Sequence, residues 1–370
     1  MKLHVVQAEY GDCLILNSAM GKNSTTVLID GGPYQTFKKH LKPSLQKLPI
    51  NGKLDLVVLS HIDNDHIIGL LDLLEEIKDQ RENGTKELVK ISKIWHNSFN
   101  DLFQTDADPR TFLKNSFLTL NSRSKEEQKK MESSIASIIM AGFQQATDLT
   151  SLAITLKVPI NPEFDKLVMV ENVPKIIKFK DITFHILGPT KKNLQRLREE
   201  WNDWLNKKKL NQNPGFELQQ ILDKSIPNLS SITLLVESKN KKALFTGDGS
   251  GDDVIKALSR DSLLDHQGKF HVNILKVPHH GSDRNVAPEL FNTIIADYYV
   301  ISANGRDDNP SIDTLKWIIE SGNQRKKSKK IVFTNTTANI AKILKQYDQK
   351  KYVYECIFLE GEQDFLTINL

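Results

Sequence analysis

Leu54-Asp55-Leu56-Val57-Val58-Leu59-Ser60 leads straight into His61-Ile62-Asp63-Asn64-Asp65-His66, and Ile67 opens the next apolar stretch. The first segment is apolar except for Asp55 and carries two valines, the pattern of a strand buried on both faces, and it stops at Ser60. From Ile67 to Ile77 the apolar residues recur at helical spacing. The unit therefore reads as strand, polar turn, helix, with the motif in a loop at the carboxyl end of the strand. Four potential metal ligands fall within it: His61, Asp63 and Asp65 alternate, and His66 adjoins the last. A tight loop aims such side chains at one point or at two nearby points, and an adjacent Asp and His diverge enough to serve two different metals. The plainer reading makes Asp63-Asn64-Asp65 an Asx-rich turn that caps a helix beginning near Ile67. That reading leaves both histidines unexplained.

Two downstream segments favour the metal. Ala243-Leu244-Phe245-Thr246-Gly247-Asp248 sets a carboxylate just beyond a strand, after a glycine that permits close backbone approach. Ile274-Leu275-Lys276-Val277-Pro278-His279-His280-Gly281-Ser282 puts two adjacent histidines at another strand end, a costly arrangement to bury without partners. Around these motifs the pattern gives strands at Leu3 to Gln7, Cys13 to Leu16, Thr26 to Ile29 and Lys93 to Trp95. A helix is expected from Tyr34 to Leu48. Strand patterns resume at Ile232 to Val236 and alternate with helices to Phe365 to Ile368, while residues 100–220 turn mostly polar and helical. The expectation is one α/β domain over residues 1–370 with a helical insertion at 100–220. Within that insertion helices are expected at Glu126 to Gln145 and Leu194 to Lys208, and a strand at Ile182 to Leu187.

Composition bounds the chemistry. The chain has 370 residues, 39% hydrophobic and 26% charged, the balance of a folded protein with a sizeable core. No run of about 18 apolar residues is present to span a membrane, and Met1-Lys2-Leu3-His4 leads into a strand pattern, so the cytoplasm is the expected compartment. Cys13 and Cys356 are the only cysteines, each in an apolar run, which excludes a disulfide framework and a CxxC metal clip. Any metal must sit on His, Asp or Glu. The net charge of +4 alone does not indicate nucleic acid, but Lys207 to Lys209, Lys239 to Lys242 and Arg325 to Lys330 are basic clusters. They are either solvated loops or a rim that attracts polyanions.

The ordered set SHIDNDHIIGL, LFTGD and LKVPHHGS resembles the metallo-β-lactamase superfamily, in particular the branch related to the hydrolase domain of ComEC-type competence proteins. Gly11-Asp12 and Leu28 to Gly32 are similar to early strands of that branch. The resemblance implies an α/β fold, an αββα sandwich, with two divalent metal ions, Zn or Mn, in a cleft at the sheet edges. By position His61 and Asp63 would hold the first metal, Asp65 and His66 the second, Asp248 would bridge them, and His279 would complete the second site. His279 is preferred because it falls two residues after the strand; His280 would either ligate instead or give a proton to the leaving group. Asp63 stands where the family has a histidine, and Asn228 where a third histidine of the first metal is expected. Such an oxygen-rich site suits harder cations and makes Mn²⁺ a rival to Zn²⁺. The family's histidine before a proline is also missing from Asp308-Asn309-Pro310-Ser311.

The implied reaction is hydrolysis by metal-activated hydroxide, with Asp65, Asp248 and His280 as catalytic candidates. Phosphodiester cleavage of nucleic acid is the leading substrate class, and Trp95, Phe99, Trp201 and Trp204 are the aromatics that could stack a base. The alternatives are a small-molecule hydrolase acting on a phosphoester, lactone or amide, and a regulatory binding protein with a degenerate metal site. Some stand-alone bacterial members of the branch are associated with phage defence. By that analogy the insertion would gate the cleft or bind a protein activator. Asp30 is a candidate to orient a ligand histidine, and His96 and Ser282 are candidates to line the cleft. His185 sits in an apolar strand and is expected to be structural.

Overall fold

The computed structural model describes residues 1–18, 24–103, 136–172, 176–208, 227–321 and 328–370. Three separate apolar cores organise them, and three cores imply four layers.

The layering follows from side-chain alternation along each strand. Leu14 and Leu16, Val27 and Ile29, and Leu56 and Val58 enter one core. Their neighbours Ile15, Leu28 and Val57 enter a second, together with Leu70, Leu73, Leu74 and Ile77 of the helix Asn64–Glu82. In the second sheet Leu234 and Val236, Ala243 and Phe245, Ile274, Val300 and Val332 share the first core. Leu235, Leu244, Leu275, Tyr299 and Ile331 turn the other way, against Leu258, Leu315, Ile318 and Ile340 of the outer helices. The shared core is the seam between two sheets, and each sheet carries helices on its far side. This is the αββα sandwich. Strands with both faces buried need apolar residues at every position, which is why their sequences read as runs.

The first sheet runs Phe365–Asn369, Lys2–Val6, Leu14–Asn17, Thr26–Ile29, Leu56–Val58, Ile94–Trp95, with the last three strands parallel. The second runs Tyr354–Phe358, Lys329–Phe333, Ile294–Ile301, Phe270–Lys276, Lys241–Phe245, Thr233–Ser238, Ile182–Gly188, Ile177–Phe179. Its first five strands are parallel, and parallel neighbours need crossovers. The helices Gly251–Arg260, Pro288–Thr293, Ile312–Glu320 and Ala338–Gln346 supply them. Parallel strands bring all their carboxyl ends to one edge, where loops can converge.

Several elements differ in extent from the sequence expectation. The helix after Thr26–Ile29 begins as a π-helical turn, Phe37–Leu41, and becomes α-helical only over Lys42–Lys47. The helix expected at Ile67 starts at Asn64 and therefore takes in half of the ligand motif. Within residues 100–220, Ile177–Phe179 and Ile182–Gly188 extend the second sheet, and Ile182–Gly188 pairs antiparallel with Thr233–Ser238. The helices Ala136–Thr155 and Lys191–Lys208 are also present there. The first part of the helix expected from Glu126 lies outside the described residues, as do Lys209, Arg325 to Lys327 and the side chains of Phe99, Trp201, Trp204, Lys207 and Lys208. Among the described residues no helix is long and apolar enough to cross a membrane.

Candidate metal centre

The helix Asn64–Glu82 delivers the ligand motif, and glycine contacts set its position. Asp65 O accepts from Asp12 N at 3.2 Å, His66 O from Gly31 N at 2.7 Å, and Gly69 N donates to Gly32 O at 3.0 Å. A Cβ on Gly11 would sit 2.0 Å from Asp65 O, and one on Gly69 would sit 1.9 Å from Gly31 O. Only glycine allows this backbone contact, so the first turn of the helix is pressed onto the loops that follow the strands Lys2–Val6 and Thr26–Ile29. Asp63 is the N-cap, but its side chain makes no capping bond. Its carboxylate lies 3.3 Å from His61 Nε2 instead.

Asp248 is the hub of the cluster. Its Oδ1 lies 3.5 Å from His66 Nε2, and its Oδ2 lies 3.5 Å from His280 Nε2, 3.7 Å from His279 Nε2 and 3.8 Å from His61 Nε2. Asp65 Oδ2 is 3.3 Å from His280 Nε2, and its Oδ1 is 3.9 Å from His66 Nε2. None of these approaches gives the buried Nε2 atoms a well-formed hydrogen bond, and the spacings suit a cation held between the groups. His61 Nε2, His66 Nε2, His280 Nε2 and Asp248 Oδ1 are all buried with no hydrogen-bond partner. Four orphaned polar atoms around one carboxylate would be a heavy desolvation cost without a ligand. The donor set, imidazole nitrogens with aspartate oxygens, fits divalent metal. The triads His61, His66, Asp248 and Asp65, His66, His280 each converge closely enough to hold an ion.

The opposite edge of each ring is tethered. His66 Nδ1 is 2.9 Å from Asp30 Oδ2. Asp30 in turn accepts from Ser60 N and Ser60 Oγ, each at 2.7 Å, and Ser60 Oγ is 3.0 Å from His61 Nδ1. His280 Nδ1 donates to Ser302 O at 2.9 Å. Such tethers fix the tautomer and aim Nε2 at the metal position. Both adjacent histidines have left-handed backbone, φ 47° at His279 and φ 54° at His280, which turns successive side chains in different directions. The ring of His280 is buried in the cluster. His279 is partly exposed, and its Nδ1 is 2.5 Å from Asn285 Oδ1 and 3.3 Å from Asn228 Nδ2.

Asn228 is thus placed beside His279. Ser282 is buried, and its N–H donates to His279 O at 2.8 Å. His96 lies apart, fully buried, with Nε2 3.0 Å from Thr150 Oγ1. His185 Nε2 lies 3.3 Å from Glu237 Oε2. Trp95 is enclosed between the sheets against Phe164 and Phe184, where no base can reach it. Lys239 to Lys242 sit at the hairpin turn before Lys241–Phe245, at the end of that strand opposite Asp248.

Sequence reasoning missed Asp12, Lys276 and Asn285. Asp12 Oδ1 lies 3.5 Å from His280 Nδ1, and Asp12 Oδ2 pairs with Lys276. Asn285 holds the ring of His279 and also donates from Nδ2 to Asp248 O at 3.1 Å.

Charge follows this geometry. Burial works against ionisation of Asp248, yet His280, His66 and His279 prevail and hold its carboxyl well below the usual range. Asp65 is likewise held down, against burial, by His66 and His280. Burial opposes protonation of His66 and His280, but the surrounding carboxylates, Asp248 foremost, raise both well above the ordinary imidazole value.

Residues 10–134 match the model of the metallo-beta-lactamase superfamily. That span holds Asp12, Asp30 and His61 to His66, and it ends before Asp248, His279 and His280. No curated protein matches the chain. Among solved structures, one described as a new diphosphatase from the PhnP family aligns over 100% of this chain and 98% of its own, at 11% identity and a TM-score of 0.40.

Proposed function

We propose that the protein is a metal-dependent hydrolase of phosphoesters, with phosphodiesters, nucleic acid included, as the leading substrates. The observation that carries this reading is the set of buried, unpartnered atoms His61 Nε2, His66 Nε2, His280 Nε2 and Asp248 Oδ1 around a single carboxylate. The superfamily match over residues 10–134 supports it. In this reading Asp65, His66, Asp248 and His280 would hold one metal, and His61 and Asp63, together with Asp248, would hold a second. Three aspartates in six ligands favour hard, oxygen-seeking cations such as Mn²⁺ alongside Zn²⁺. A divalent metal pair here would lower the pKa of water and stabilise charge developing on the attacked phosphorus.

The chain's own residues divide the remaining work. Asp30 and Ser60 lock His66 and His61, and Ser302 locks His280, so the ligands need no reorganisation. His279 is not enclosed by the cluster. Its Nδ1 is held by Asn285 and its partly exposed ring lines the cavity beside the cluster, where it is placed to take and return a proton at the leaving oxygen. The basic turn at Lys239 to Lys242, distant from this edge, takes no part.

Metal analysis followed by assays on bis(p-nitrophenyl) phosphate, single- and double-stranded DNA and RNA, with Mn²⁺ or Zn²⁺, tests the proposal. The wild type should bind metal and cleave a phosphodiester, and Asp248→Asn should do neither. Full metal content in Asp248→Asn would refute the assignment of the centre. Cleavage of a neutral lactone or amide alone would refute the substrate class.

A further inference from the structure

A cavity of about 210 Å³ opens directly onto the cluster, lined on its inner side by Asp65, His279 and His280 and on its outer side by Tyr10, Asn64 and Arg306. We propose that Arg306 is the specificity-determining residue of this site, gripping an anionic oxygen of the substrate while the reacting phosphorus lies against the metal ligands. The inference rests on the phosphoester reading and adds what in this chain selects an anion over a neutral ester.

Among the described residues that line the cavity, Arg306 is the one with a permanent positive charge. Its guanidinium carbon lies 4.2 Å from the centre of the Tyr10 ring, a stack that holds the plane of the fork in place while leaving its edge open. The loop beneath it is fixed. Arg306 N donates to Asn304 Oδ1 at 3.1 Å, and Asn304 Nδ2 donates to Glu9 Oε2 at 3.1 Å, tying the loop to the segment that carries Tyr10. On the other side Asn339 Nδ2 donates to Asp308 O at 2.8 Å. Gly305, Asp307 and Asp308 all have left-handed backbone, φ 95°, 54° and 60°, so the chain turns sharply on both flanks of Arg306. Such a turn is costly for the two aspartates and is sustained by those side-chain braces.

The charge partner on the same loop is weak. Arg306 Nε is 3.6 Å from Asp307 Oδ2, with the two side chains 57% and 76% exposed, a pair that water screens and an incoming anion can displace. A guanidinium presents two parallel N–H groups, and a phosphodiester presents two non-bridging oxygens at matching spacing. A lactone or amide offers one neutral oxygen and no match. Asn64 also lines the cavity, beside Asp65. The volume suits a phosphoryl group with part of one substituent and is below the roughly 300–1,000 Å³ of pockets that enclose a drug-sized ligand.

The test compares wild type, Arg306→Ala, Arg306→Lys and Tyr10→Leu, each loaded with metal and checked for equal metal content. Calorimetry measures the Kd of inorganic phosphate, and kinetics gives KM and kcat for bis(p-nitrophenyl) phosphate. Arg306→Ala should weaken phosphate binding and raise KM by at least about tenfold, with a smaller change in kcat. Arg306→Lys should recover part of the loss, and Tyr10→Leu should fall between it and wild type. Unchanged phosphate affinity in Arg306→Ala at full metal content overturns the role of Arg306 and leaves the hydrolase reading standing. A wild type that binds no phosphate and cleaves only neutral esters overturns both.

Discussion

Lys276 Nζ stands 2.5 Å from Asp12 Oδ2, and both side chains are only 1% exposed. Lys276 closes the strand Phe270–Lys276, and Asp12 lies on the loop that receives the first turn of the Asn64–Glu82 helix. The pair therefore pins the two sheets together directly behind His280. Burial would raise the Asp12 carboxyl, but Lys276 and then His280 hold it below the ordinary range.

Breaking a buried ion pair by removing one partner leaves the other charge stranded, at a cost of about 3–5 kcal/mol. Lys276→Ala should lose stability of that order in urea unfolding of the metal-free protein. Asp12→Leu combined with Lys276→Met should recover most of it. A loss below about 1 kcal/mol in Lys276→Ala would show that the pair does not hold the fold.

The two adjacent histidines should separate experimentally. His280→Gln removes a buried Nε2 that faces Asp65 and Asp248, so metal content should drop. His279→Gln should keep its metal and lose turnover, because that ring is partly exposed and held by Asn285. Loss of metal in His279→Gln, with full occupancy in His280→Gln, would reverse the assignment.

Most strands were legible because strands buried on both faces read as uninterrupted apolar runs, and Thr26–Ile29 is observed with the bounds its sequence suggests. The strand-end placement of His61, Asp248 and the two histidines was legible for the same reason. The start of the Asn64–Glu82 helix was not, because its cap uses backbone atoms of Asp63 and leaves the side chain to the metal cluster. Nor could spacing choose between His279 and His280. Left-handed backbone at both positions decides which ring turns inward, and no pattern of apolar residues encodes that. Asp12 and Lys276 did leave a signal: Asp12 adjoins the apolar run Cys13 to Leu16 and Lys276 lies between Leu275 and Val277, and a charge buried there needs a partner.

Gly11→Ala tests the backbone contact beneath the site. The added methyl would meet Asp65 O at 2.0 Å, so the helix must back away and carry Asp65 and His66 with it. Overpacking of this kind costs about 1–3 kcal/mol. The variant should melt lower than wild type and bind metal more weakly. Wild-type metal affinity in a folded Gly11→Ala would show that the contact does not position the ligands.

His4 gives stability a pH dependence. It is buried with Nε2 unpartnered, and burial lowers its pKa to about 4. The unfolded chain binds this proton near pH 6.5, the native state only near 4, so the unfolded state holds more protons between those values. Stability is fully present above about 6.5 and falls as pH drops toward 4, by on the order of 3 kcal/mol in all. Urea midpoints at pH 7 and pH 5 should show the loss, and His4→Gln should make it smaller. His96, lowered to about 4 by burial in the same way, adds a second contribution of that sign.

Metal binding should release protons. His66 and His280 are raised well above the ordinary value in the metal-free protein, and a metal can use only their neutral form. Affinity should rise steeply with pH across neutrality, and calorimetry in buffers of different ionisation enthalpy should detect the released protons. A pH-independent affinity would show that the imidazoles already stand neutral.

Lys2 pairs with Asn369 and Val6 with Phe365, so the first strand hydrogen-bonds to the last. A pairing that spans nearly the whole chain forms only after a very large loop closes, which places the fold among slow, high-contact-order topologies. On the ribosome, His61, Asp65 and His66 emerge long before Asp248 and His280, and the strand Lys2–Val6 lacks its outer neighbour until Phe365–Asn369 has been made. Four of the six proposed ligands, His61, Asp63, Asp65 and His66, thus exist on the nascent chain with nothing to complete them. The proposed centre is complete only once the strand before His280 has joined the second sheet.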